Sequence, residues 1–584
     1  MLDILFINSA DNNELRNEVN GTLLLASKLM DAGFNVEVQK FCNIEGVNED
    51  YNKFINNFVD EIIERNPKCI SFYTLWPYYH TMLRIAKEVK QKNHNIITVL
   101  GGPQSTGTAY DTMKSMDFID YVCTGEGENT VVPFFSTVLG VKDYDITKIP
   151  SLYYRNNDEV TFNHIPIPLT DLEALKPWNE KFYKNAYIEE DIAKDDYYMP
   201  IDVGRGCPYN CTFCCSSLFW NRRYRLKSAD KIVEEIEFYK TKFGIKSFSF
   251  GHDAFTANNK LVIEICDKII EKKLNIKWKC TSRINCVTKE LILKMKEAGL
   301  EFIEFGIETG SERMQKLVNK KLDLTNAKEM IQFILKSGVK PVLFFMYGFP
   351  EETEEDLLET LKLIFWAQDI GVQHTSMSYC HFNVATEMTE KHLDNLYFEP
   401  EIKLLGRGVF GFSEELEMIK ANKKIFSHFY HLSTPVRDNY QYLRLLILLY
   451  ERHRDTFKLI CQLYDGDYLK LYRDFYNNNP LVFSLEMSAI MDCVFMKPVE
   501  LVENTLKDFE KSYTEKILSV MQYERNARKV TKAKTDTEIK EKYNFSMIDL
   551  QMKLNITQFS NMKTEILLQN KNGEFEMKVI SIGF

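Results

Sequence analysis

Over the first 140 residues, short apolar runs alternate with amphipathic stretches. "LDILFIN" (2–8), "FNVEVQKF" (34–41), "KCISFYT" (68–74), "NIITVLGG" (95–102) and "FIDYVCTG" (118–125) read as strands. "GTLLLASKLMDAG" (21–33), closed by Gly33, and the stretches around 51–65 and 78–93 read as helices. This alternation predicts an α/β fold with a doubly wound, Rossmann-like parallel sheet whose ligands sit at the carboxyl ends of the strands. The small-residue turns Gly101-Gly102 and "TGEGEN" (124–129) fall at that edge. Residues 141–195 lose the pattern and read as a connecting segment with one hairpin, "SLYYRNNDEVTFN" (151–163). Alternation resumes over 196–395. Strands are expected at "YMPIDVG" (198–204), "KSFSFG" (246–251), "IKWKCTS" (276–282), "EFIEFGIE" (301–308), "KPVLFFMYG" (340–348) and "TSMSYCHF" (375–382). Six strand–helix units predict a partial (β/α)6 TIM barrel with its chemistry at the C-terminal strand ends. Residues 396–584 read as mostly helical, with "EELEMIKANKKIFSHFYHL" and "NYQYLRLLILLYERHRDTFKLICQLY" as helices. The final stretch from 553 alternates around an Asn-Gly turn at 572–573, which predicts strands.

Bulk properties narrow the class. A chain of 584 residues accommodates three or four domains. No apolar run reaches the roughly 18 residues a membrane span needs, and the N-terminus lacks a signal-peptide pattern, so a cytoplasmic protein with no membrane partner is expected. The net charge of −10 argues against bulk nucleic-acid binding. Thirteen cysteines, an odd number, argue against a disulfide framework. Cys69, Cys123, Cys266, Cys461 and Cys493 sit in apolar surroundings and read as core residues.

The remaining chemistry concentrates in "GRGCPYNCTFCCSS" (204–217), where Cys207, Cys211 and Cys214 are spaced C-x3-C-x2-C directly after the first predicted barrel strand. A structural zinc site wants a fourth ligand, and no second C-x2-C or H-x3-H occurs. A [4Fe–4S] cluster held by three thiolates instead leaves one iron with an open coordination position. Arg205, Arg222, Arg223 and Arg225 supply cations around the loop.

With Phe213 just before the third cysteine, this loop resembles the signature of the radical S-adenosylmethionine (SAM) superfamily. The resemblance covers residues 196–350. It implies that the open iron chelates SAM, and that one electron from an external donor such as flavodoxin or ferredoxin cleaves SAM to a 5′-deoxyadenosyl radical. It also implies SAM contacts at successive strand ends: Phe213, then Asp253 with its neighbour His252 in "FSFGHDAFT", Arg283, Glu308 in "FGIETGSE", and Tyr347 and Gly348 in "MYGFPEET". Read without the resemblance, Asp253 serves equally as a helix N-cap and Glu308 as an ion-pair partner of Arg283. A "PGT"-like turn common at the family's sixth strand is replaced here by "CHFNVATEM" (380–388).

"CISFYT…LGGPQST…YVCTGEGENT" resembles the cobalamin-binding domain that precedes many radical SAM domains, over nearly all of residues 1–140. The resemblance implies corrin or nucleotide-tail contacts at Asn8, Ser71, Gly101, Gly102, Gly125 and Glu126. The D-x-H-x-x-G loop that ligates cobalt elsewhere is absent: "NSADNNELRN" (8–17) stands there, and the domain's histidines are His80 and His94. Cobalt without a lower histidine from this loop is therefore expected. The aromatic stretch "FYTLWPYYH" (72–80) either shields the lower cobalt face or packs as ordinary core.

The resulting expectation is a cobalamin-binding domain (1–140), a connecting segment (141–195), a radical SAM domain (196–395) and a mostly helical C-terminal domain (396–584). Together they would methylate an unactivated carbon of a small-molecule or peptide substrate, with one SAM methylating the cobalamin and a second furnishing the radical. Non-methylating cyclisation, ring contraction or rearrangement is the alternative on the same architecture. A zinc- or cluster-containing binding protein is the alternative outside enzymes. The C-terminal domain, with "GRGVFGF" (406–412), Tyr430, Tyr440 and Tyr442, is expected to cap the barrel mouth and shape substrate choice.

Overall fold

A computed structural model describes residues 2–10, 20–42, 51–166, 170–178, 181–182, 197–398, 413–483, 487–532, 537–543, 550, 563–571 and 574–583. The N-terminal sheet contains β1 (Ile4–Ala10), β2 (Val36–Cys42), β3 (Cys69–Tyr73), β4 (Ile97–Gly101), β5 (Tyr121–Cys123), β6 (Leu152–Asn156) and β7 (Glu159–Phe162) in the order β2-β1-β3-β4-β5-β6-β7. The first five strands are parallel, and the order reverses between β1 and β3, where doubly wound sheets open a ligand crevice. The hairpin predicted at 151–163 forms as β6–β7. It is not a free connector: β6 pairs antiparallel with β5 and extends the first sheet past residue 140. Tyr153 stacking on Phe162 at 4.2 Å holds the hairpin face.

The second sheet contains β8 (Met199–Asp202), then β11 (Ser247–Gly251), β12 (Lys277–Ser282), β13 (Leu300–Glu308), β14 (Lys340–Tyr347) and β15 (His374–Tyr379). All neighbours are parallel, and β8 and β15 form the two edges, so the barrel is partial and open. Between β8 and β11 a short antiparallel ribbon, β9 (Gly204–Arg205) with β10 (Arg225–Leu226), closes the cysteine loop at its base. Local sequence sets the helix limits. Ser228 caps helix Ala229–Phe243, which ends on Gly244 at φ +69°, and Thr353 with Asp356 forms a capping box on helix Glu354–Asp369. The barrel core stacks Trp278 of β12 on Phe250 of β11 at 4.7 Å.

The C-terminal region departs from its predicted helices in two places. Residues 413–421 are helical, but "KKIFSHFYHL" turns into a single 3-10 turn and β17 (Tyr430–His431), which pairs with β16 (Tyr397–Phe398). Phe426 and Phe429 are buried in the same apolar cluster as Tyr79 and Leu83, so packing on the first domain overrides local helix propensity. The long pattern 439–464 splits at His453 into helices Leu443–Arg452 and Arg454–Leu463. The carboxylate of Glu524 accepts the Asp455 amide at 2.8 Å and the Thr456 amide at 3.3 Å, capping the second helix from outside. The strands predicted after 553 form as β19 (Lys563–Lys571) and β20 (Glu574–Gly583), and an unpredicted strand, β18 (Thr537–Tyr543), joins them in an antiparallel sheet. "GRGVFGF" and the Asn-Gly turn lie outside the described residues. Among the described residues, no helix is long and apolar enough to cross a membrane.

Candidate active site

The cysteine loop is shaped by glycines where backbone meets backbone. Gly206 sits at φ +85°, and a Cβ there would fall 1.9 Å from the Arg223 carbonyl oxygen; one on Gly204 would fall 2.3 Å from that of Arg225. The loop is anchored to the barrel by the Asn319 side-chain amide donating to the Asn210 carbonyl (2.7 Å) and by the Thr212 amide donating to Val318 (3.1 Å). Cys207, Cys211 and Cys214 are half-buried and joined in no disulfide. Burial pushes the Cys207 thiol up, and burial followed by Cys215 pushes Cys214 up to about 12. Such thiols ionise when a metal supplies the charge. The Arg283 guanidinium lies 3.6 Å from the Cys211 sulfur and 3.7 Å above the Tyr209 ring. Among the described residues, no three His, Cys, Asp or Glu side chains converge as a single-ion site. That is compatible with a cubane, where each thiolate takes a different iron and the sulfurs stand apart. The donor set fits a three-thiolate cluster.

The other predicted residues ring the carboxyl ends of the barrel strands. His252 and Asp253 follow β11. The His252 Nδ1 accepts the Ala254 amide at 2.9 Å, its Nε2 is buried without a partner, and burial lowers its pKa. Asp253 accepts the Ser216 hydroxyl. Arg283 follows β12. Glu308 ends β13 in the left-handed region at φ +70°, a conformation costly for a residue with a Cβ. Its ion-pair partner is Lys320 at 2.8 Å; Arg283, the partner considered from sequence, donates instead to the Lys320 carbonyl. Tyr347 ends β14, buried against Tyr379 at 4.5 Å, and donates to the Gln441 carbonyl at 3.4 Å. Gly348 at φ +79° donates its amide to Glu352. Phe213 packs on Phe349 at 6.0 Å.

A cleft of about 1350 Å³ of empty space, partly continuous with solvent, separates the two sheets. On the first-domain side it is lined by Ser71, Tyr73, Gly101, Gly102 and Gly125; on the barrel side by Gly206, Trp220, His252 and Asp253. Of the other two predicted contacts, Asn8 lies off the cleft wall and Glu126 lies on it. Asn8 is 1% exposed and lies behind Thr22, whose hydroxyl it accepts at 2.8 Å, so it does not reach the wall. Glu126 reaches the wall with its carboxylate clamped between Arg205 (3.1 Å) and Arg225. A Cβ on Gly102 (φ +104°) would lie 3.0 Å from the Thr74 backbone, so this edge approaches as bare main chain. The apolar wall, glycine edge and volume fit a large flat cofactor. Trp76, from the aromatic stretch, packs on His381 at 5.1 Å and on His428 at 5.2 Å. His381 follows β15 and His428 belongs to the C-terminal region. Nothing in their sequence neighbourhoods marks them, because only tertiary folding brings them to Trp76.

Sequence models of two families match the chain: the radical SAM superfamily over residues 201–364 and the B12-binding domain over residues 15–134. It is a radical SAM enzyme with a B12-binding domain. An uncharacterised methyltransferase of Pyrococcus horikoshii is 29% identical over 358 residues, which cover 59% of this chain and 72% of that protein. The anaerobic magnesium-protoporphyrin IX monomethyl ester cyclase of Cereibacter sphaeroides is 27% identical over 325 residues, covering 53% of this chain and 52% of the cyclase. The radical SAM enzyme thus spans about half the length of that cyclase and of its Rubrivivax gelatinosus counterpart. Two solved structures share its fold. The radical SAM methyltransferase TsrM from Kitasatospora setae, with cobalamin and a [4Fe–4S] cluster bound, superposes with a TM-score of 0.54 at 13% identity, covering 74% of this chain and 83% of that one. The cobalamin-dependent radical enzyme OxsB, with aqua-cobalamin bound, gives 0.54 at 14% identity, covering 90% and 80%.

Proposed function

We propose that the chain is a cobalamin-dependent radical SAM C-methyltransferase acting on an unactivated carbon of a small-molecule or peptide substrate. The observation that carries this reading is the single cleft onto which the glycine edge of the B12-binding domain and the rim of the cysteine loop both open. When bound, the cluster with SAM supplies a 5′-deoxyadenosyl radical and the cobalamin carries the transferable methyl group. The chain's own residues hold and orient. Cys207, Cys211 and Cys214 hold the cluster, and Arg283 offsets thiolate charge beside Cys211. Asp253 and Glu308 present carboxylates to the SAM ammonium and ribose hydroxyls, Glu308 being steadied by Lys320. Phe213, Tyr347 and Gly348 shape the adenosyl side, and Ser71, Gly101, Gly102 and Gly125 the corrin side. His252 keeps a neutral buried imidazole at the junction of the two. The C-terminal region supplies a substrate cap: Arg437 packs its side chain 3.5 Å from where a Cβ on Gly348 would stand, and Tyr440 donates to Glu354 at 2.8 Å. A reducing cytoplasm and an external one-electron donor such as flavodoxin or ferredoxin complete the requirements. Similarity to the monomethyl ester cyclases supports a second reading, a non-methylating ring closure. Anaerobic reconstitution with iron, sulfide and cobalamin, followed by turnover with methyl-deuterated SAM, separates them. A product heavier by one labelled methyl supports methyl transfer, 5′-deoxyadenosine with an unmethylated product supports cyclisation, and no 5′-deoxyadenosine rejects both.

A further inference from the structure

A second cavity, of about 850 Å³ of empty space, opens where the end of helix Leu443–Arg452 meets the last two turns of helix Lys511–Thr531. Arg452, Arg525, Arg528, Lys529 and Lys532 line it, and no Asp or Glu does. Residues 525, 528, 529 and 532 recur at the three- and four-residue spacing that stacks side chains on one helix face. Among the described residues, none of the five cations makes an ion pair. Arg525 reaches the Met496 carbonyl at 3.5 Å, and Arg452 lies 4.6 Å over the Phe495 ring. The neighbouring Glu524 is spent on the Asp455 and Thr456 amides and the Thr456 hydroxyl, and Glu541 on Asn526. His453 also lines the cavity. It is 2% exposed, its Nδ1 has no hydrogen-bond partner, and Glu524 stands 3.9 Å away, beyond bonding distance. Burial, then Arg528, Arg452 and Arg525, holds its pKa down to about 3, so the ring is neutral. Arg528 is itself held below the ordinary arginine range by burial and by Arg452 and Arg525, with Glu524 opposing.

Arg452 and Arg525 repel Arg528 across this cavity, and Lys529 and Lys532 rim it from exposed positions, an arrangement with no gain for folding. The buried residues of this helix are Ile517, Val520, Met521, Asn526 and Val530, and none of the five cations is among them. Locally unfavourable groups kept without structural return mark ligand sites. Guanidinium forks match oxyanions bidentately, and five charges exceed what one carboxylate would balance. The cavity also lies far from the cluster end of the barrel. Arg454 donates to the Val372 carbonyl at 3.1 Å, in the turn that enters β15 at the opposite end of the sheet from Tyr379 and Cys380. We propose that this cavity binds a compact polyvalent phosphate, the di- or triphosphate group of a small molecule, at a site separate from the radical chemistry.

The test is calorimetric titration of the full chain with inorganic tripolyphosphate at about 150 mM salt, where exposed charges are screened beyond about 8 Å. Saturable binding is expected, weakened at least tenfold in Arg525→Gln/Arg528→Gln and unchanged in Lys511→Gln, a 90% exposed position at the other end of the same helix. A nucleoside triphosphate run in parallel assigns the source: tighter binding than tripolyphosphate points to a nucleotide, equal binding to the phosphate chain alone. Thermal melting separates binding from folding. Arg528→Gln relieves repulsion, so without ligand it should melt above the parent, and tripolyphosphate should raise the parent's melting temperature but not the variant's. The proposal is overturned by absence of binding at millimolar tripolyphosphate, by equal loss in Lys511→Gln, by preference for single-stranded RNA over tripolyphosphate of equal charge, or by a ligand-free Arg528→Gln that melts below the parent.

Discussion

Replacing Arg205 with methionine removes one cation from three carboxylates. Arg205 is 8% exposed and bonds Glu128 at 2.5 Å, Glu126 at 3.1 Å and Asp202 at 3.2 Å. Arg225 also holds Glu126, so the group carries two positive and three negative charges. Glu128 is the most dependent member of this balance. It is 5% exposed, and without Arg205 it keeps the Thr170 hydroxyl at 3.3 Å and its own backbone amide, with no cation of its own among the described residues. Stripping the partner from a buried charge costs about 3–5 kcal/mol, whereas removing both members costs far less. Arg205→Met should therefore lose about 3–5 kcal/mol, and Arg205→Met/Glu128→Gln should recover at least about 2 kcal/mol of it. Glu128 and Glu126 belong to the first domain and Arg205 to the base of the cysteine loop, so the damage is localised. Hydrogen exchange of the full chain should show faster opening of residues 124–131 and 204–214, with β1–β4 little changed. Burial raises the Glu128 carboxyl, and Arg205 more than reverses this, leaving it below its ordinary value. Its contribution is thus present above the unfolded pKa and lost as pH falls through the folded one, so the variant should have a flatter acid limb. A single-variant cost under about 1 kcal/mol, or a double variant less stable than Arg205→Met, refutes this account of how the domains are joined.

Other perturbations test the loop and the strand ends. Alanine at Cys207, Cys211 or Cys214 should each abolish iron loading and 5′-deoxyadenosine formation. Alanine at the adjacent, exposed Cys215 should leave both intact, as checked by iron content and visible absorption. Gly206→Ala should cost about 1–3 kcal/mol from its positive φ alone and more from the carbonyl at 1.9 Å, seen as weakened iron loading before global unfolding. Burial raises the Glu352 carboxyl to about 8, only partly opposed by the Gly348 and Phe349 amides. The folded state keeps a proton that the unfolded chain releases near 4.5, so stability should decline as pH rises from there to about 8, by at most about 1.4 kcal/mol per unit; Glu352→Gln should flatten that slope in denaturant titrations.

The periodicities exposed the scaffold because each strand's burial follows its own residues. β3 is "CISFY" with its first four positions buried, as a central parallel strand requires. The three thiols were legible for a similar reason, since a cofactor loop is local in sequence. What sequence could not supply was partnership. Glu126 reads as a ligand residue in a glycine-rich turn, yet its carboxylate faces Arg205 and Arg225, 79 and 99 residues away. The helix expected through 424–432 failed for the same reason: Phe426 and Phe429 had an apolar host in the first domain that no local pattern announces. His381 and His428 meet Trp76 across three regions of chain.

These partnerships bear on how a cleft between two sheets keeps its width. An apolar seam would be free to slide, because dispersion and area burial are non-directional. A carboxylate–guanidinium lattice is not, since bidentate and shared bonds fix distance and angle together. The seam from Glu126 and Glu128 to Arg205 joins the glycine edge of one domain to the glycine-built base of the cysteine loop in the other. The proposed methyl or radical transfer across the cleft would demand near-contact geometry, where errors of about 1 Å are costly. Polar groups at this seam therefore add little net stability and contribute register instead. That explains why a buried network of net charge −1 stands where a hydrophobic contact would be more stable.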